Sequence, residues 1–327
     1  MSLSLTAGAV EPVIAGLLGA IDVDGGPTDE QLTVLRILAT HLWDHQTMDL
    51  DAIATLGPDA LAAAVVDPVD RRRFHEVLVV LEVCRHPLSA AQVASVERYA
   101  EALGVDGPDG ALFRTFVDTG RERAAADYAR FLRGSLDDRE EPGLAGGKLG
   151  GPDASGAEPG LAHAVAAFGD LAPDSLGQAL LAFYRRHAIP LPGERESSMN
   201  HFFVGHDMTH VIAGIEPTAA GEVALSAFQM AINDSPVNRS ALLASLVAHE
   251  AGFASPETFA AEERTLNSVG AAELLGQEME RGGRCTADFS LVDHMALAPL
   301  LLAEVRSQFG VVAPVDPDDG HHYWPSP

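Results

Sequence analysis

One stretch constrains the fold of this 327-residue chain more than any other. Phe202 to Ile232 reads as two apolar segments separated by Gly214-Ile215-Glu216-Pro217. Glycine ends helices and proline suits the first turn of a new one, so the pattern predicts a helical hairpin. Its first helix should begin near Ser197 or Ser198, and its second should run from about Thr218 to Ile232. His206 and His210 are four apart, which places both imidazoles on one helix face, one turn above the other. Asp207 lies about 100° round the axis and can reach the same point from the flank. His210 and Glu222 are each six residues from Glu216, so a fold-back brings them to one height, and Gly221 would let the helices approach closely. Two imidazoles and two carboxylates can hold a divalent cation. Zinc is favoured, since it accepts mixed nitrogen and oxygen donors at about 2.0–2.2 Å, and iron, manganese or magnesium are alternatives. An HxxxH pair alone is as readily two surface histidines; the neighbouring Asp207 and the returning Glu222 favour the metal reading.

Helical spacing recurs on both sides of the hairpin. Leu32, Leu35, Leu38 and Leu42 follow the opener Pro27-Thr28-Asp29-Glu30, Pro58 starts a short helix, and Phe74, Val77, Leu78 and Leu81 mark the next. Ser89 caps a helix that Gly104 ends, and a further one is expected from about Asp109 to Leu132. Later helices are expected over Ala241–Gly252, from Pro256, and after Asp293-His294. No strand-like alternation stands out, so the expected fold is all-α. Residues 134–160 hold eight Gly and three Pro in 27 positions and read as a flexible linker. The expected organisation is therefore a helical domain over 1–133, the linker, and a second helical domain over 161–327. The Pro- and Asp-rich tail, His321-His322 included, is expected to be disordered.

The hairpin motif, HDxxH followed by eleven residues and Glu, resembles the signature of the coenzyme Q (ubiquinone) biosynthesis protein 4 family. Asp174 to Ala179 with Phe183 to His187, Gly221 to Leu225, Met279 to Gly283 and Pro299 to Gly310 are similar to flanking segments of that family, over about residues 160–313. The resemblance implies that His206, Asp207, His210 and Glu222 are metal ligands. It also implies a metal-dependent step on a prenylated aromatic ring: loss of the ring carboxylate with hydroxylation at that carbon. Thr209 stands where the family often has an aromatic residue, and Phe202 to Gly205 where it often has basic ones, which points to a different substrate. Residues 10–130 are similar, less specifically, to the tellurite-resistance TerB-like helical domain. That family places acidic residues, which would hold a cation, at two helix starts; here Asp22, Asp24, Asp29 and Glu30 stand at the first, but the second reads Arg85-His86-Pro87 and does not complete a two-sided acidic site. The acidic residues are read as favouring a helix N-terminus.

Two other histidine sites are read as structural: His41 with His45, which lack a clear returning carboxylate, and His249-Glu250 at a helix end. Composition bounds the partners. The net charge of −26 argues against DNA or RNA, which needs clustered basic residues, and weakens electrostatic docking on anionic lipid. Two cysteines, Cys84 and Cys285, make no disulfide framework and fit a reducing cytoplasm. No apolar run approaches the ~18–20 residues needed to cross a bilayer. The expected ligand is an apolar isoprenoid or quinone-like molecule, with peripheral membrane contact and a homo-oligomer or biosynthetic complex as further expectations. Two alternatives stay open: a scaffold that binds isoprenoid or quinone intermediates, and a metal-activated phosphohydrolase using His201 and Asp234.

Overall fold

The structure is a computed structural model that describes residues 4–44, 49–105, 114, 118, 128, 140–145, 149–252 and 262–324. Among the described residues the chain is all-α, with isolated bridges in place of a sheet. In chain order the helices are α1 (Val10–Ile21), α2 (Asp29–Trp43), α3 (Pro58–Ala64), α4 (Pro68–Val83), α5 (Ala90–Leu103), α6 (Pro159–Ala166), α7 (Leu176–His187), α8 (His201–Ala213), α9 (Ala219–Ile232), α10 (Pro236–His249), α11 (Ala271–Gly282), α12 (His294–Leu297) and α13 (Leu302–Phe309). The helix expected over Asp109–Leu132, apart from Arg114, Asp118 and Tyr128, lies outside the described residues, as do His45 and the helix start at Pro256. None of these helices is long and apolar enough to cross a membrane.

Two compact units are present: residues 1–132 with 239–280, and residues 133–238 with 281–327. The division departs from the expected cut, because Arg239–Glu280 belongs with the N-terminal part of the chain. Side chains account for this. His41 contacts Glu273 and Glu280 at 3.0 and 2.8 Å, and His86 contacts Glu250 at 2.6 Å. Such pairings join positions far apart in the chain, which periodicity does not register.

The first unit is built from well-capped helices. Thr28 and Gln31 form a reciprocal capping box on α2, Asp67 caps α4 ahead of Pro68, and Ser89 caps α5. Each cap is worth about 1 kcal/mol. Ile14, Leu17, Leu35, Leu38, Phe74, Leu78 and Leu81 are fully buried. The apolar spacing expected of α2 and α4 is therefore the core-facing stripe.

The second unit is organised around α7, α8 and α13, with Leu180, Phe183, Val204, Met208, Ile212, Phe228 and Val305 in one apolar core. Two expectations are corrected here. Residues 140–145 and 149–160, expected as linker, contribute to this unit: Leu144 and Glu141 are buried, and Glu141 meets His294 Nδ1 at 2.8 Å. Residues 134–139 and 146–148 of the expected linker lie outside the described residues. The tail is ordered through Trp324. Glu216 N donates to His321 O, Tyr323 N donates to Gly214 O, and His322 is buried. Proline and aspartate content masked these backbone pairings.

Candidate metal centre

The hairpin forms, with its helix bounds shifted. Asn200, in extended conformation, caps α8 by accepting from Phe202 N, so the helix begins at His201 and not at the serines. Gly214 closes it in the left-handed region, φ 72°, with its N–H returned to His210 O. Thr218 caps α9, so Pro217 stands in the turn ahead of the cap and not within the first helical turn. Gly221 has a different role from the expected one. A Cβ there would lie 1.9 Å from Glu216 O, so the glycine is demanded by the tight turn into α9.

The fold-back brings three of the four expected side chains together. His206 Nε2 lies 3.1 Å from Glu222 Oε2, His210 Nε2 lies 3.2 Å from Glu222 Oε1, and the two Nε2 atoms are 3.2 Å apart. All three donors fall within 4.8 Å of one another. Asp207 lies outside that group. It is buried next to Tyr184, and burial pushes its carboxyl up to about 6 against the pull of His206 and His210. Asp207 Oδ2 has no hydrogen-bond partner.

The donor set fits a cation. A tetrahedron with metal–nitrogen arms of about 2.0–2.1 Å has edges of roughly 3.3 Å, close to the separations between these donors. His210 Nδ1 is 3.0 Å from Ile215 O, a contact that fixes the proton on Nδ1 and turns the Nε2 lone pair toward Glu222. Without a cation the same atoms form a charged pair. Burial works against the charged forms of both, yet Glu222 raises the His210 pKa, and the two imidazoles hold Glu222 well below the usual carboxylate range. A cation would take the place of that proton, since imidazole ligates only when deprotonated.

The centre has an open side. His206 is 30% exposed at its side chain, whereas His210 is fully enclosed. His210, Phe183, Val211, Ile215, Leu302 and Trp324 are among the residues lining a cavity of about 860 Å³, whose rim carries Arg185 and Arg186. Phe183 stacks on the His210 ring at 5.8 Å and 24°. Arg306, also at the cavity, donates to Val211 O and Ile212 O at the end of α8 and lies 3.4 Å from the Trp324 ring centroid. Burial, helped by Arg281, lowers its pKa to about 9. It still carries its charge at neutral pH. Sequence reasoning singled out Phe183, Arg186 and Arg306 only within segments of flanking similarity. It missed Trp324, an aromatic residue near an unremarkable chain end that gives no local signal.

Other histidines fall elsewhere. His201 is held by Glu158 at 2.9 Å and does not join the cluster, nor does Asp234. His41 does find carboxylates, Glu273 and Glu280, one at each ring nitrogen. The sequence had shown none returning to it. Among the described residues a second mixed cluster comprises Glu30, His86 and Glu250.

No protein-family model matches the chain, and no curated protein matches it in sequence. Among solved structures, one from Nostoc punctiforme PCC 73102, of a protein provisionally assigned to ubiquinone biosynthesis, is similar at 13% identity. The match covers 75% of this chain and 98% of that one, with a TM-score of 0.33. A likeness of that size carries no functional inference.

Proposed function

We propose that this chain binds a divalent cation, zinc favoured, through His206, His210 and Glu222, and acts with it on an apolar ligand bearing an anionic group, such as a prenylated aromatic carboxylate of quinone biosynthesis. One observation carries the reading: two imidazole nitrogens and a carboxylate converge 3.1–3.2 Å apart, and one of the three residues, His210, also lines a cavity whose other walls are mainly apolar and aromatic. In a chain with net charge −26, Arg185 and Arg306 line that cavity and would favour an anionic group; Arg186 lines it too but is paired with Glu216 at 3.1 Å, and Asp174 contributes one negative charge. Phe183, Val211, Leu302 and Trp324 supply surface for a ring and an isoprenoid chain. The motif's resemblance to the coenzyme Q biosynthesis family supports the same ligand class.

When bound, the cation would supply Lewis-acid stabilisation of negative charge on the ligand's carboxylate. The chain's own part is positional. Ile215 O orients the His210 ring, Phe183 stacks against it, and the apolar wall excludes water around the ring. Replacing the carboxylate by hydroxyl, with release of CO₂, is a two-electron oxidation of the ring and requires an oxidant such as dioxygen.

The test titrates zinc-loaded chain with a prenylated hydroxybenzoate, reads binding by tryptophan fluorescence, and follows CO₂ release under air. The expected result is saturable binding and metal-dependent CO₂ release, both reduced at least about tenfold in His210→Ala, the loss of one bound charge-stabilising ligand. Binding without CO₂ under any metal would favour the carrier reading, and no binding would remove both.

A further inference from the structure

We propose that Glu30, His86 and Glu250 form a second divalent-cation site, within the first unit and chemically independent of the hairpin. Three positions far apart in the sequence meet there: the first turn of α2, the loop after α4, and the residue following α10. His86 Nε2 lies 2.6 Å from Glu250 Oε1, and one donor atom from each residue lies within 4.8 Å of the others.

Burial makes this grouping informative. Glu250 has no exposed surface and Glu30 only 5%. Glu250 Oε2 accepts from Leu266 N at 2.7 Å. Neither oxygen of Glu30 accepts from an N–H or hydroxyl donor, and its carboxyl lies against that of Glu250. Its nearest cationic group is Arg264 Nε at 3.5 Å, on a side chain that is 53% exposed and therefore well solvated. Two carboxylates side by side in such a place cannot both remain charged and unneutralised. The dipole of α2 favours Glu30 in its first turn, but it does not account for Glu250. A carboxylate at the C-terminal end of α10 faces the negative end of the helix dipole, where a cation is preferred. The unsatisfied Glu30 oxygens, the misplaced Glu250 charge and the adjacent imidazole are all answered by one bound cation.

The donors are one imidazole and two carboxylates, a set suited to manganese or zinc. Cys84 is nearby but is not assigned as a ligand. Its thiol donates to Val80 O at 3.1 Å, and burial together with Glu250 and Glu30 keeps it protonated. Glu30 and His86 stand at the two helix starts of the TerB-like resemblance, but the site is not the acidic pair expected there: the second start supplies an imidazole, and Glu250 comes from the end of α10. Those starts are tied by Arg85, which donates to Ile21 O, Val23 O, Gly26 O and Gln92, and by Gln31 donating to Gln92. Asp22, Asp24 and Asp29 are not in the cluster.

The test uses the full chain, stripped by chelator, with the hairpin silenced by His206→Ala and His210→Ala together. Mn²⁺ is titrated by calorimetry, with electron paramagnetic resonance counting the free ion and circular dichroism following the melt. One equivalent should still bind and raise the Tm. Adding Glu30→Gln should abolish both effects while leaving the metal-free Tm equal or higher, because the amide ends the carboxylate repulsion. Should the double variant fail to fold, the wild-type chain must bind one equivalent of Mn²⁺ more than Glu30→Gln does, whatever the hairpin binds. Absence of Mn²⁺ binding in the folded double variant, or retention of full binding in Glu30→Gln, overturns the site.

Discussion

At the scale of single residues, the hairpin depends on a glycine whose importance comes from a distant partner. Gly205 precedes His206 on α8, and a Cβ there would lie 1.6 Å from Glu141 Oε1. Glu141 is buried and held by His294, so it cannot simply swing away. Gly205→Ala should therefore destabilise the chain by about 1–3 kcal/mol through overpacking, read from urea denaturation. In a Glu141→Ala background the same change should cost little, since the clash is gone, and a double-mutant cycle shows the coupling. An equal cost in both backgrounds would mean that the contact is not the cause. The same scale shows what could be read in advance. The periodicity of His206, His210 and Glu222 carries the geometry of the cluster directly, because residues on one helix face and residues equidistant from a turn must meet. Asp207 departs from it because a flank position has two environments to choose from, and Tyr184 lies on the other side. Local spacing does not encode that choice.

At the scale of elements, the α8–α9 turn is covered by the chain's end. Tyr323 N donates to Gly214 O, and a Cβ on Gly214 would come within 2.7 Å of the Trp324 ring. Trp324 also stacks on the Arg306 guanidinium that ties down the last carbonyls of α8. Trp324→Ala should lower stability by roughly 2 kcal/mol, less than for a fully buried tryptophan because the ring is partly exposed. It should also weaken binding of the prenylated probe, since the ring forms part of the cavity wall. Trp324→Phe should retain most of both. A chain whose denaturation midpoint and probe affinity are unmoved by Trp324→Ala would show that the tail lies over the cavity without supporting it. Helix starts were legible where a side-chain cap stood next to an apolar stripe, as at Thr28 and Ser89. At α8 two serines competed with Asn200, and the asparagine's contact with Phe202 N decided the start.

At the scale of the whole molecule, an all-α chain could be read from apolar periodicity alone, because helix-forming stripes need no distant partner to be recognised. The composition of the two units could not. Residues 239–280 join the first unit through pairs such as His41–Glu273 and His86–Glu250, whose members are more than a hundred positions apart. Glycine content marked 134–160 as a break, yet Leu144 and Glu141 are anchored in the second unit by an apolar contact and a histidine that composition does not weigh. The candidate metal centre stands apart from these long-range surprises because the hairpin alone brings its three donors together. The most direct measurement is an anomalous-difference map from crystals of the full chain grown with zinc and measured above the zinc edge. A peak is expected within about 2.0–2.2 Å of His206 Nε2, His210 Nε2 and a Glu222 oxygen. A map with no peak at those three atoms, in crystals that contain zinc, would contradict the assignment of the hairpin as a metal centre.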